Sequence, residues 1–169
     1  MKKRHPVIRF FRHLLSSPWW VNRHFSKQAL RNIERAIAEN EQLHAGEIRF
    51  VVEAGLDPLD IVFGKTPKKR AIELFGRLNI WDTEHNNGVL IYLLLADRDV
   101  EIVADRGIHR FVGDAGWETI CHAMELRFRA GEFEVGVQEG IATIGAVLSQ
   151  YFPPQGNQRN EIPNKPLVM

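Results

Sequence analysis

The run Val89 to Ala96 is almost wholly apolar, and it constrains the architecture more than any other stretch of the chain. It is too short to span a membrane and has the length of a strand. An apolar strand without alternation must be covered on both faces. Asp97-Arg98-Asp99 then makes a turn, and Val100 to Ala104 returns as a second strand, so the two form a β-hairpin. Upstream, Ile48 to Val52 carries β-branched and aromatic weight and reads as another strand. Between it and the hairpin, Thr66 caps a helix that opens on Pro67 and runs to about Leu78. A strand–helix–strand crossover makes the first pair parallel, and the hairpin adds an antiparallel edge. Three further helices supply cover: one from a Ser26 cap to about Asn40, one capped by Asp114, and one from Phe133 to Tyr151 after a break at Gly131. The expected fold is α/β: a three-layer α/β/α sandwich with a small mixed sheet containing a β-hairpin, and helices on both faces.

Charge is spread unevenly over this frame. Residues 1–27 hold seven of the 22 Lys and Arg (Lys2, Lys3, Arg4, Arg9, Arg12, Arg23 and Lys27) and none of the 21 Asp and Glu. The chain therefore divides into a basic amphipathic arm at 1–25, an α/β domain at 26–152 and a polar tail at 153–169, expected on the surface without regular structure. The body is acidic and has no basic groove studded with aromatics, so no nucleic-acid partner is expected. In the arm, Val7, Ile8, Phe10, Phe11, Leu14 and Leu15 are broken up by Arg9, Arg12 and His13, which leaves no apolar core for an export signal. No stretch reaches the roughly 18 apolar residues of a spanning helix. These features point to a cytoplasmic protein, with peripheral contact at the inner membrane through residues 1–25. Two readings of the arm stay open. It packs its apolar face on the domain, or it lies on an anionic membrane with Trp19 and Trp20 at headgroup level. The single cysteine, Cys121, excludes an internal disulfide and reads as a small buried thiol.

The familiar catalytic and phosphate-binding motifs are missing. The polar residues to explain lie in Trp81-Asp82-Thr83-Glu84-His85-Asn86-Asn87-Gly88 and in Asp105-Arg106-Gly107. Hairpin pairing puts the start of the first strand beside the end of the second, which brings Asp82, Asn86 and Asn87 toward Asp105 and Gly107. Asp114 follows close enough to reach the same end. Asp82, Asp105 and Asp114 with the Asn87 amide oxygen would make a hard oxygen set of the kind that Ca²⁺ or Mg²⁺ selects. Ordinary loop chemistry explains the same residues, with Asn-Asn-Gly accepting positive φ and Asp114 capping a helix. His85 is an auxiliary ligand or proton shuttle in the first reading and a surface loop residue in the second. Arg98 reads as part of a solvated turn, and Glu53 is expected near that turn rather than near Asp82.

The run Asn86-Asn87-Gly88-Val89-Leu90-Ile91-Tyr92, with Asp97-Arg98, Val100-Glu101-Ile102, Gly107-Ile108 and Asp114, resembles the TPM domain family. That family is named for a thylakoid acid phosphatase-like protein, a photosystem II repair factor and a receptor-associated membrane protein. Trp81 to His85 and Asn160-Glu161-Ile162-Pro163 are similar to a compact bacterial subgroup without export signal or transmembrane tail. The resemblance spans roughly residues 26 to 150. It implies an α/β/α sandwich, an acidic cleft that binds Ca²⁺ in some members, and a phosphatase activity proposed for some. The family's usual Gly-Tyr-Gly-Leu-Glu is here Asp105-Arg106-Gly107-Ile108-His109, which removes one carboxylate at His109 and adds one at Asp105.

Two functions are consistent with this reading. One is a non-catalytic accessory or scaffold module of an envelope complex, holding a protein partner at the membrane and a divalent cation in the acidic cleft. The other is a metal-dependent phosphatase, in which Arg106 contacts the substrate phosphate through a forked pair of hydrogen bonds. Whether the chain is an enzyme stays open at this point.

Overall fold

The computed structural model describes residues 6–154, 156 and 159–169. Lys2, Lys3 and Arg4 of the basic arm lie outside these. The elements run α1 (Pro6–Leu14), α2 (Pro18–His24), α3 (Lys27–Asn40), β1 (Glu47–Glu53), α4 (Pro58–Val62), α5 (Pro67–Arg77), β2 (Gly88–Leu94), β3 (Asp99–Ala104), α6 (Arg106–Ala130), α7 (Phe133–Tyr151) and β4 (Leu167–Val168). The sheet order is β3-β2-β1-β4, with β1 parallel to β2 and β4, and β2 antiparallel to β3. Helices cover both faces, as the unbroken apolar pattern of β2 requires. Every residue of β2 is buried.

Alternate side chains of the strands serve two cores. Ile48, Phe50, Val52, Val89, Ile91 and Leu93 pack with α2, α3, α6 and α7. Val51, Leu90, Tyr92 and Leu94 pack with Ala71 and Leu74 of α5, with Ile80 and with Ile162. The caps follow from local chemistry. The Ser26 side chain accepts from Ala29 N–H, and that of Thr66 from Lys69 N–H. At Gly131 (φ 85°) the chain adopts the left-handed conformation that ends α6.

Three features differ from the sequence reading. The helix expected from Asp114 follows the non-helical Gly113 (φ 67°, ψ 172°), but it is preceded by a further helical segment from Arg106, opened where Asp105 accepts from Arg106 N–H, and the two run on as α6 with a kink between them. The loop before Thr66 contains the short helix α4, capped by Asp57. The polar tail is not a surface appendage. Its Ile162 is buried, Glu161 and Ile162 N–H groups donate to the Glu47 carboxylate, and Leu167–Val168 extends the sheet beside β1. Arg49 fastens the intervening turn through the carbonyls of Pro163 and Lys165.

The arm packs on the domain. Ser17 caps α2, which places Val21 and the following Phe25 in the larger core. Helix α1 lies across the carboxyl ends of β1 and β2, with His13 buried. The face of α1 turned away from the domain is also apolar, with Ile8, Phe11 and Leu14 exposed.

Candidate functional site

At the amino end of the strands, hairpin pairing assembles much of the expected constellation. Val89 faces Ala104, and Asp105 N–H donates to the Gly88 carbonyl at 2.9 Å. Gly107 comes so close to the backbone carbonyls of His85 and Asn86 that a Cβ there would collide with them. Asn86 sits at φ 53°, and its side-chain oxygen accepts weakly from Arg106 at 3.4 Å. Asn87 is buried; its N–H meets Thr83 Oγ1 and its amide nitrogen donates to the Ala45 carbonyl at 2.7 Å. These contacts tie the loop to the neighbouring strand. Asp105 caps α6 through Oδ1, while its buried Oδ2 has no hydrogen-bond partner.

The carboxylates do not join this assembly as a set. Asp82 and Asp114 are exposed, and His85 is half-buried. Among the described residues, no group of three or more His, Cys, Asp or Glu side chains is placed to hold a metal ion. Of the expected set, Asp105 alone places a buried carboxylate oxygen at this end, and the oxygen-rich cage that Ca²⁺ or Mg²⁺ calls for is not assembled among the described residues. Arg106 is exposed, and its guanidinium donates to the Asn86 side chain at 3.4 Å. Burial pushes the Cys121 thiol up to about 12, far from a reactive thiolate.

The opposite end of the sheet carries a polar network that the sequence only half revealed. Glu53 lies opposite Leu94, near the hairpin turn as expected. Its carboxylate takes a forked pair of hydrogen bonds from Arg70 at 2.9 and 3.0 Å and another from the Tyr92 hydroxyl at 2.6 Å. Burial, then the Glu53 charge, pushes the Tyr92 hydroxyl well above its ordinary value. Arg70 continues to Glu73, Glu73 to Lys65, and Lys65 to Asp60.

Asp97 receives Arg9 Nε at 2.9 Å, and the same guanidinium donates to the Lys65 carbonyl. His13 Nδ1 accepts from Leu56 N–H, which places the neutral ring's proton on Nε2, 3.3 Å from Asp97 Oδ2. Burial raises the Asp97 carboxyl, but His13 and Arg9 outweigh it and hold the group below its ordinary value. The missed partners, Arg9 and His13, stand four residues apart in a basic helix. That spacing is the signal that they share a face.

The outer face of the arm is different. Ile8, Phe11, Leu14 and Leu15 are exposed, as is Trp19 of α2. Helix α1 packs against α4, which exposes Leu59, Val62 and Phe63, the last 84% accessible. Among the described residues, no helix is long and apolar enough to cross a membrane.

A four-stranded mixed sheet between helical layers, with its hairpin locked to the 83–88 loop, defines a small α/β/α domain of the type expected from the TPM resemblance. The family model described as TPM domain matches residues 22–147, and the chain belongs to that family. The chain is similar to the NMR structure of the BA42 protein from the psychrophilic bacterium Bizionia argentinensis. The two are 31% identical, the match covers 86% of this chain and 95% of that one, and the TM-score is 0.76. The solution structure of the N-terminal domain of a protein from P. gingivalis shares the fold at 20% identity, with 79% of this chain and 83% of that one covered and a TM-score of 0.62. No curated protein matches the chain.

Proposed function

We propose that this TPM-domain protein is a non-catalytic accessory module of an envelope complex, resting on an anionic membrane surface and presenting its acidic body to a protein partner. The observation that supports this most directly is the two-sided arm. Its inner face is tied to the domain through Arg9, His13, Val21 and Phe25, while Ile8, Phe11, Leu15 and Trp19 are exposed, as is Phe63 at the end of α4, the short helix that α1 packs against. Large apolar side chains grouped on a basic surface suit an interface with anionic headgroups, where burial and charge act together. A phosphatase would leave both the charge asymmetry and this face unused.

Vesicle flotation tests the reading. Deleting the arm would remove Val21 from the core, so surface substitutions are the better probe. The protein should float with vesicles containing phosphatidylglycerol and not with pure phosphatidylcholine. The triple variant Phe11→Ser, Leu15→Ser, Phe63→Ser should bind about 100-fold more weakly, at roughly 1 kcal/mol for each partly inserted side chain. Its melting temperature should barely change, because all three are exposed. No flotation of the parent at low salt would overturn the membrane assignment. Hydrolysis of p-nitrophenyl phosphate that requires Ca²⁺ or Mg²⁺ and disappears in Asp105→Asn would overturn the non-catalytic one.

A further inference from the structure

Between α1, α2 and the β2–β3 turn lies a cavity of about 230 Å³, lined by Arg12, Arg23, Arg98, His24 and the indoles of Trp19 and Trp20. We infer that this cavity is a headgroup site, in which guanidinium groups and indoles hold the phosphate and glycerol of one anionic phospholipid molecule. The inference rests on the membrane reading above and gives it a specific contact.

The lining has the chemistry for such a ligand. Three arginines, Arg12, Arg23 and Arg98, line the cavity, and among the described residues no Asp or Glu is part of its lining. The nearby Asp97 holds Arg9 and His13 through its Oδ2, and both Asp97 and Arg12 have further partners, so the site rests on Arg23 and Arg98. Among the described residues, neither Arg23 nor Arg98 has a carboxylate partner; Arg23 lies 5.7 Å over the Trp19 ring. An arginine held on an indole keeps its planar donor edge free for a phosphate. The backbone supports the assignment. Arg98 sits at φ 51°, where glycine or asparagine is more comfortable than a long side chain. Turn geometry alone gives no reason for arginine at that position, whereas a cavity that requires its guanidinium does.

Size and position favour a lipid over a free ion. One water needs only about 10–15 Å³ of cavity space, so a cavity of about 230 Å³ takes a ligand much larger than a single water. Trp19 belongs both to the cavity and to the exposed apolar face, so a lipid seated there has its headgroup and its chains served by adjoining surfaces. Indoles are the side chains that settle at this level of a bilayer.

The test uses the full chain and vesicles of phosphatidylcholine with phosphatidylglycerol, followed by tryptophan emission and flotation. Arg23→Gln and Arg98→Gly should each weaken binding at least tenfold. Arg31→Gln, on the exposed surface of α3, removes the same charge and should weaken it less than twofold. Arg98→Gly also relieves the left-handed backbone, so it should fold at least as well as the parent, and lost binding cannot be ascribed to unfolding. Equal small losses in all three variants would overturn the cavity site and leave the membrane reading standing. Saturable shifts of the Trp19 and Trp20 indole resonances with glycerol phosphate, without vesicle binding, would overturn the lipid as the source. Absence of parent binding to any anionic vesicle would remove both proposals together.

Discussion

Asp97 joins the arm to the sheet, and replacing it with alanine tests whether the arm is a built part of the fold. The carboxylate is nearly buried, with 8% of its side chain accessible, and Arg9 Nε and His13 Nε2 converge on one oxygen at 2.9 and 3.3 Å. Asp97→Ala leaves His13, which is fully buried, and Arg9, 19% accessible, facing the space the carboxylate filled. Breaking a buried pair by removing one partner costs about 3–5 kcal/mol. Arg9 can recover some water at its partly open edge, which places the expected cost near the bottom of that range, about 3 kcal/mol. For a chain of this length that is roughly a 6–12 °C drop in melting temperature.

The pH dependence gives a second signature. The folded carboxyl lies below its ordinary 3.8, so its stabilisation is complete above that value and fades as pH falls through the folded one. The gap between parent and variant should therefore stay constant from pH 5 to 7.5 and narrow only below about 4. Urea unfolding measures the gap, and hydrogen exchange locates it: the Leu56 amide, which donates to His13 Nδ1, should lose protection together with α1. A loss under about 0.5 kcal/mol with unchanged protection at Leu56 would refute the argument, because it would mean that the arm is held by apolar contact alone.

Burial pushes the Glu41 carboxyl up to about 8, so its contribution is lost as pH rises from 4.5 to about 8; Glu41→Gln should gain on the parent over that window, by about 3 kcal/mol at pH 8 after discounting for partial exposure, and parallel urea stability curves would refute this. Burial lowers the His44 ring to about 4, with Nδ1 accepting from Gly46 N–H and Nε2–H donating to Asn40. The parent should therefore lose about 2–3 kcal/mol as pH falls from 6.5 to 4, a slope that His44→Gln should abolish in the same assay. Gly107→Ala would drive a methyl group into the Asn86 carbonyl and should cost about 2 kcal/mol; an unchanged melting temperature would mean that the loop is not locked to α6.

The parts of the fold that showed in the sequence are those written in local chemistry. Ser26, Thr66 and Gly131 mark helix ends through one hydrogen bond or one dihedral each, and α7 runs from Phe133 to Tyr151 as its periodicity indicates. The hairpin register followed from the apolar run, and with it the approach of Asn86 to Gly107. What stayed hidden depends on distant partners. Leu167–Val168 is a two-residue strand whose pairing surface lies more than a hundred residues earlier, so no local pattern announces it. A helical segment does run on from Asp114 after the break at Gly113, but the extra segment that Asp105 opens upstream carries no apolar periodicity long enough to announce it. The described carboxylates are not gathered as a set for a related reason. Strand pairing fixes backbone neighbours, whereas Asp82 and Asp114 stand on segments whose side-chain directions the hairpin does not control.

That difference bears on where this family member can do its work. Open α/β sheets bind ligands in the crevice beyond the carboxyl ends of their parallel strands, where β1 and β2 end here in Glu53 and Leu94. In this chain that position is filled from within. Glu53 is closed by Arg70 and Tyr92, and Asp97 by Arg9 and His13 of the arm, so the charges that could have met a substrate are spent on one another. A domain that plugs its own crevice with a basic helix turns the outer face of that helix into its most distinctive surface. On that face the apolar row of α1 and the arginine-lined cavity adjoin. A ligand met there would see a rim of indoles and arginines instead of a cleft of carboxylates, which is the surface that the proposed attachment to an anionic membrane would use.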